Sequence, residues 1–319
     1  MTILQPPPGW SREESPFHAG ERLLQERAGV RDRIERSGRR GIREAMPDQH
    51  RELFTKLPFL IVGALDGQDW PRASIVTGHP GFVASPDPHT LVIGAHPVPG
   101  DPLHGRLTAG AEAGLLGIQL ETRRRNRMNG RITVADNGGF TVRVGQSFGN
   151  CPQYIQAREP AATGGTPQPV AVGEGALLSP AARALIAGSD TFFIASAAAG
   201  TVDVSHRGGP PGFVRVGEEG GRTVLTVPDF RGNLFFNTFG NLALTPRAGL
   251  LFIDFAEGGL LSLAGEAEVI WDGPDLAAFA GAERLLRVRV TGGVFLADAV
   301  PLRWSAPQPA PELARPGSR

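Results

Sequence analysis

The chain of 319 residues has one cysteine, Cys151, one lysine, Lys56, and one tyrosine, Tyr154. A lone thiol excludes an internal disulfide framework. Lys+Arg and Asp+Glu balance at 32 each, so no global field draws nucleic acid or an anionic membrane, and a local cluster must bind any anion. With one lysine, such a cluster would consist of guanidinium forks, which suit phosphate. No hydrophobic run is long enough to span a bilayer. Met1 leads into Pro6-Pro7-Pro8 without a basic start and an apolar core, so no signal peptide is read and the expected location is cytoplasmic. His79, His89, His96 and His104 lack ligand-like spacing and read as loop residues, so no metal is expected. Neither a G-x-S-x-G elbow nor a P-loop occurs, which leaves hydrolase and kinase readings unsupported.

What the chain does have is Gly 43, Pro 28 and a long internal repeat. Gly-His-Pro-Gly-Phe-Val at 78–83 returns as Gly-Pro-Pro-Gly-Phe-Val at 209–214. An apolar run precedes each, Phe59-Leu60-Ile61-Val62 and Phe192-Phe193-Ile194, and Gly-Leu-Leu follows each, at 114–116 and 249–251. Repeated punctuation over so long a span predicts one β-rich unit built twice rather than a solenoid. The interface between two such units is a natural place for a ligand.

The expected organisation is an N-terminal arm and helices over 1–50, a first β unit over 51–160, a linker over 161–178, a second β unit over 179–305 and a disordered tail over 306–319. Leu23, Leu24, Val30 and Ile34 carry helical spacing, and Met46-Pro47-Asp48 opens a further helix that Leu57-Pro58 closes. Strands are expected at 59–65, 71–77, 80–84, 90–94, 113–120, 128–135 and 139–147, and again at 191–197, 202–206, 212–216, 223–227, 247–254, 259–271 and 285–297. Short helices are expected at 102–110 and 152–157, one at 179–188 behind Ser179-Pro180, and one at 231–244. Trp70, Trp271 and Trp304 are expected to pack in or over the cores.

The sharpest local signal is Val227-Pro228-Asp229-Phe230-Arg231-Gly232-Asn233, a strand running into an expected helix start. Helix N-termini favour phosphate, Arg231 adds a bidentate donor, Gly232 permits close backbone approach and Asn233 adds a side-chain amide. Asn237 and Asn241 continue a polar stripe. A plainer account has Asp229 capping the helix and Arg231 paired with a surface carboxylate. Glu121 to Arg131 is the strongest basic cluster, and strand alternation puts Arg123, Arg125, Arg127 and Asn129 on one face. It reads equally as an anion-steering surface across the interface and as a solvated hairpin edge; without interleaved aromatics it does not read as a nucleic-acid site.

The order Ser205-His206-Arg207-Gly208-Gly209, Pro211-Gly212-Phe213-Val214, Pro228-Asp229-x-Arg231-Gly232-Asn233, Asn241-Leu242 and Pro246-Arg247-x-Gly249-Leu250-Leu251-Phe252 resembles the FMN-binding split-barrel relatives of pyridoxamine 5′-phosphate oxidase. In the first half, Met46-Pro47-Asp48-Gln49-His50, Leu57-Pro58-Phe59, Gln146-Ser147-Phe148-Gly149-Asn150-Cys151-Pro152 and Tyr154-Ile155 carry the likeness. The resemblance implies a mostly β, α+β chain of two tandem split β-barrels behind an N-terminal helical segment, binding FMN as an oxidoreductase. It implies a phosphate held by Arg231, Gly232 and Asn233 beside Asp229, Asn237 and Asn241. The flavin ring would lie along Ser205, His206 and Arg207, with Cys151, Gln153 and Tyr154 nearby. The first unit has Pro97-Val98-Pro99-Gly100-Asp101-Pro102 where the second has its Arg-Gly-Asn, so one flavin per chain is expected, on the second unit, with the first supplying the opposing wall. Partners implied are the flavin and a small-molecule substrate or electron donor, in a possible homodimer. A non-catalytic flavin carrier or sensor, and a deazaflavin (F420) or haem binder, remain as alternatives.

Overall fold

The computed structural model describes residues 9–314. Three helices lead, α1 (Ala19–Arg27), α2 (Arg31–Gly41) and α3 (Asp48–Lys56). The N-cap of α1 is His18, and Glu21 reaches back to the His18 amide in a capping box. The first sheet comprises β1 (Phe59–Leu65), β2 (Pro71–Thr77), β3 (Val83–Ala84), β4 (Thr90–Ile93), β5 (Glu112–Gln119), β6 (Arg124–Asp136) and β7 (Gly139–Gly149). A connecting segment holds β8 (Pro160–Ala162), β9 (Val170–Glu174) and α4 (Pro180–Gly188). The second sheet comprises β10 (Thr191–Ala198), β11 (Thr201–Gly208), β12 (Arg215–Glu219), β13 (Arg222–Asp229), β14 (Arg247–Ile253), β15 (Leu260–Ile270) and β16 (Arg284–Ala297). Helix α5 (Asn237–Leu244) lies between β13 and β14, α6 (Pro274–Ala277) lies between β15 and β16, and β17 (Leu302–Trp304) pairs with β8.

The two sheets have the same order. The first runs β2-β1-β5-β6-β7-β4-β3 and the second β11-β10-β14-β15-β16-β13-β12, with β9 added against β16. The duplicated unit read from the sequence is therefore a duplicated topology. Its apolar runs have no polar alternation because both faces of β1 and β10 are covered. Leu60 and Val62 enter the first core, Phe192 and Ile194 the second, and Phe59, Ile61, Phe193 and Ala195 form a third cluster between the units. The repeated Gly-Leu-Leu serves that junction. A Cβ on Gly114 would stand 2.7 Å from the Val202 carbonyl oxygen, and one on Gly249 2.2 Å from that of Pro71, so each glycine lets a strand of the other unit lie directly upon it.

Several expectations differ in place. The helix expected at 231–244 begins at Asn237, because Leu234 and Phe236 adopt left-handed backbone, φ 61° and 63°. Residues 102–110 are turns and 152–157 are irregular, and the expected linker over 161–178 contains β9 and part of β8. The segment 306–314 is docked rather than loose. Arg123 donates to the Gln308 and Pro309 carbonyls, Ala310 is fully buried, and a short 3-10 turn covers Pro311–Ala314. The rest of the expected tail, and most of the arm's first residues, lie outside the described residues. Among the described residues no helix is long and apolar enough to cross a membrane.

Candidate functional site between the two units

A cavity of about 140 Å³ opens where the end of β11, the turn after β13 and the start of α5 meet β6 and residues 150–154 of the first unit. Ten of the twelve residues singled out in the sequence line it: Ser205, His206, Arg207, Asp229, Gly232, Asn233, Asn237, Cys151, Gln153 and Tyr154. Arg231 and Asn241 do not. The Arg231 side chain is exposed, without a polar partner among the described residues, while its carbonyl accepts from the Tyr154 hydroxyl at 3.3 Å. Asn241 sits fully buried behind the cavity, donating to Ser196 Oγ at 3.0 Å and Asp203 Oδ2 at 3.1 Å. Asn233 turns its Oδ1 back to the Phe235 amide at 3.1 Å, a local turn.

Four arginines define the electrostatics. Asp229 does not cap a helix. Its carboxylate takes Arg207 at 2.6 Å and Arg284 at 2.8 Å, and Arg284 also meets Glu283 at 2.7 Å. Arg127, buried, pairs with Asp203 at 3.3 Å and donates to Ser205 Oγ. Arg125 differs from all of these. Its Nε donates to the Cys151 carbonyl at 2.9 Å and its Nη1 to His206 Nδ1 at 2.8 Å, and it has no carboxylate partner among the described residues. Burial first, and then the neighbouring charge of Arg127, bring its pKa from 12.5 down to about 10.

That contact fixes His206. A guanidinium can only donate, so Nδ1 accepts and the neutral ring keeps its hydrogen on Nε2. Burial, then the charges of Arg125 and Arg207, hold the imidazole well below its usual pKa. His206 Nε2, Arg127 Nε and Arg207 Nε are buried without a hydrogen-bond partner. At the same place α5 starts with no side-chain cap, so its first amides add an uncompensated positive end. These walls are rich in donors and short of acceptors, which is what an anion or a carbonyl-rich ring requires. On one side Tyr154 packs against Phe230, centroids 5.3 Å apart and planes tilted by 34°, to form the lip.

The sequence had grouped Arg125 and Arg127 by strand alternation but left their role open between a site and a solvated edge. Arg284 was missed altogether. It reaches Asp229 because the two are paired across β13 and β16, a relation between residues 55 positions apart that no local pattern displays. Thr238 and Phe239 were likewise missed, because their place follows from the late start of α5.

The same registers reveal what stands at the counterpart place in the other half. Pairing Ile61 with Leu116 and Phe193 with Leu251 aligns Ile75 with His206, Val76 with Arg207, Leu260 with Arg125 and Ser262 with Arg127. The counterpart is therefore uncharged and, but for Ser262, apolar, and it is filled: Trp304 packs edge-on against Phe59 at 5.7 Å and Phe255 at 5.1 Å, in the cluster that holds Ile75 and Leu260. A wider cavity of about 440 Å³ near it, lined among others by Trp70, Arg72, Gly100 and Gly293, contains one arginine, and that arginine is paired with Asp66 at 2.7 Å.

Residues 178–294 match the family model of pyridoxamine 5′-phosphate oxidase. The match falls on α4 and the second sheet, and the first sheet repeats the strand order of the second. Solved structures similar to part of the chain include HupZ of Group A Streptococcus, 14% identical over 39% of this chain and 96% of that one, TM-score 0.31. An FAD-binding protein of Mesorhizobium loti is 12% identical over 41% and 99%, TM-score 0.27. HutZ, the haem storage protein of Vibrio cholerae, is 14% identical over 38% and 95%, TM-score 0.26. No curated protein matches the chain.

Proposed function

We propose that the inter-unit cavity binds FMN, one per chain, and that the protein is an FMN-dependent oxidoreductase acting on a small molecule yet to be identified. The observation that carries this reading is Arg125, a cavity-lining guanidinium with no carboxylate to neutralise it. A half-buried charge without a counter-ion is costly, and a phosphorylated ligand would compensate it. The donors of Arg127, Arg207 and His206 that lack partners fit the carbonyl and phosphate oxygens of a flavin mononucleotide. A volume of about 140 Å³ is below the roughly 300 Å³ typical of sites for drug-sized ligands, so a flavin would seat one end there and extend past the Tyr154–Phe230 lip.

When bound, the flavin supplies the two-electron chemistry, and the protein supplies binding and electrostatics. Arg125, Arg127 and the first amides of α5 would hold negative charge. Arg207 is kept in place by Asp229 and by the Phe239 ring, 4.8 Å from its guanidinium carbon, and would stabilise anionic character on the ring. His206 acts as a permanent hydrogen-bond donor, because its Nδ1 is occupied and its ring stays neutral. This speaks against His206 as a haem ligand, since Nε2 carries the hydrogen and has no lone pair for iron. A second reading, a flavin carrier without turnover, is favoured by the same neutrality of His206, which is no proton shuttle. The test is the absorbance spectrum of the purified protein, with mass analysis of what heat denaturation releases. One FMN per chain supports the proposal, and reduction by a nicotinamide donor with turnover separates enzyme from carrier. A colourless protein that FMN does not reconstitute refutes both flavin readings.

A further inference from the structure

We propose that Glu21, on a helix outside both barrels, decides which end of the Asn237 amide the cavity ligand meets, and so whether that wall offers a hydrogen-bond donor or an acceptor. This rests on the cavity being the ligand site and specifies what kind of ligand atom belongs at that wall. Asn237 is the first residue of α5 and lines the cavity. The end of its amide meets Glu21 Oε1 at 2.5 Å, with Nδ2 towards the carboxylate as an ionised Glu21 requires, while Glu21 Oε2 accepts from the His18 amide at 2.8 Å. A half-turn about χ2 exchanges the two ends at the same heavy-atom positions.

Glu21 is 3% exposed. The charged and titratable groups that face it are His18 from its own helix, 3.6 Å away, Asp203 from β11 and Arg127 from β6. From α5 it meets the uncharged Asn237. Burial first, and the negative charge of Asp203 second, favour the neutral acid, raising its pKa to about 8.

The two ends of an amide are nearly equal in shape and opposite in hydrogen bonding. Ionised Glu21 can only accept, so it takes Asn237 Nδ2 and leaves Oδ1 to the cavity. Neutral Glu21 has Oε2 committed to the His18 amide, so its hydrogen is on Oε1 and is donated to Oδ1. The Nδ2 hydrogens then face the cavity and join Arg125 and His206 Nε2–H. Around neutrality the wall selects an acceptor edge, a carbonyl or phosphate oxygen. In alkaline solution it selects against one.

The wall has little freedom to adapt in other ways. Leu234 and Phe236, just before Asn237, hold left-handed backbone, which non-glycine residues keep only when their surroundings enforce it. Helix α1 does the enforcing. Gln25 Nε2 donates to the Phe235 carbonyl at 3.1 Å, Phe17 packs edge-on against Phe235 at 5.2 Å, and α1 crosses α5 so closely that a Cβ on Gly240 would stand 2.6 Å from the Glu21 amide nitrogen.

The test uses the full chain with ¹⁵N-labelled asparagine side chains, free of cofactor, from pH 6 to 9, below the range in which Arg125 loses its charge. The Asn237 amide resonances should titrate in the wild type and stay still in Glu21→Gln, whose Nε2 can only donate to Oδ1 and freezes the donor wall. FMN affinity, read by quenching of flavin fluorescence, should weaken roughly tenfold over the same range in the wild type, as for one mismatched hydrogen bond, and stay flat in Glu21→Gln. Static Asn237 resonances, the same titration in both proteins, or a flat wild-type affinity overturn the proposal. If FMN does not bind at all, the flavin reading fails and the amide titration alone decides this one.

Discussion

Replacing Arg125 with methionine should move ligand binding and stability in opposite directions. In the folded protein its pKa falls from 12.5 to about 10, and at about 1.4 kcal/mol per pH unit this is about 3 kcal/mol against the charged form. A base with a lowered folded pKa destabilises the fold at every pH below about 10, and the penalty is full at neutrality. Removing the group recovers that energy but forfeits hydrogen bonds to the Cys151 carbonyl and His206 Nδ1, each worth about 1 kcal/mol. The net gain is about 1 kcal/mol, and at this size that raises the melting temperature of the cofactor-free protein by roughly 1–2 °C. On the proposed reading FMN would lose one charge-assisted contact, about 1.5–3 kcal/mol or roughly 10- to 150-fold in dissociation constant. Differential scanning calorimetry and a fluorescence-quench titration read the two effects. A melting temperature that falls by several degrees with unchanged FMN affinity would refute the reasoning and make Arg125 a structural residue.

Other expectations follow from the same geometry. Arg231→Ala, on an exposed side chain outside the cavity lining, should leave FMN affinity within about threefold, as for exposed charges; a loss as large as that of Arg125→Met would return the phosphate to residue 231. Glu21 is held neutral in the fold, so its contribution to stability is full below its ordinary pKa of 4.5 and lost as pH rises through about 8. Melting temperature should therefore decline between those values in the wild type, and Glu21→Gln should flatten the decline. Trp304→Ala empties the filled counterpart site and should cost about 3–5 kcal/mol, while flavin content stays at one per chain; two flavins per chain would show that the second site was blocked only by bulk.

The architecture was readable from the sequence where short-range patterning and the repeat agreed. β1 and β2 occupy the expected 59–65 and 71–77, and the twin Gly-Leu-Leu marked glycines whose missing side chains the junction needs. The sequence failed where distant residues dictate local conformation. Nothing within 231–236 announces left-handed Leu234 and Phe236; contacts from α1, over two hundred positions away, impose them. The candidate site divides likewise. Ser205, His206, Arg207 and Asp229 stand in one contiguous pattern, whereas Arg284 enters by strand pairing. The role of Arg125 depends on the absence of a nearby carboxylate, and only packing reveals that.

The pairing of the two units through Gly114 and Gly249 has a consequence for behaviour on dilution. Where a site is built between separate protomers, its occupancy falls with protein concentration as the protomers part. Here both walls are on one polypeptide, so closing the site is intramolecular and its effective concentration is set by the connecting segment, not by expression level. The cavity should remain assembled at nanomolar protein, and a mutation on one wall alters that wall alone instead of appearing twice by symmetry. Such a chain is free to keep one site charged and fill the other with tryptophan.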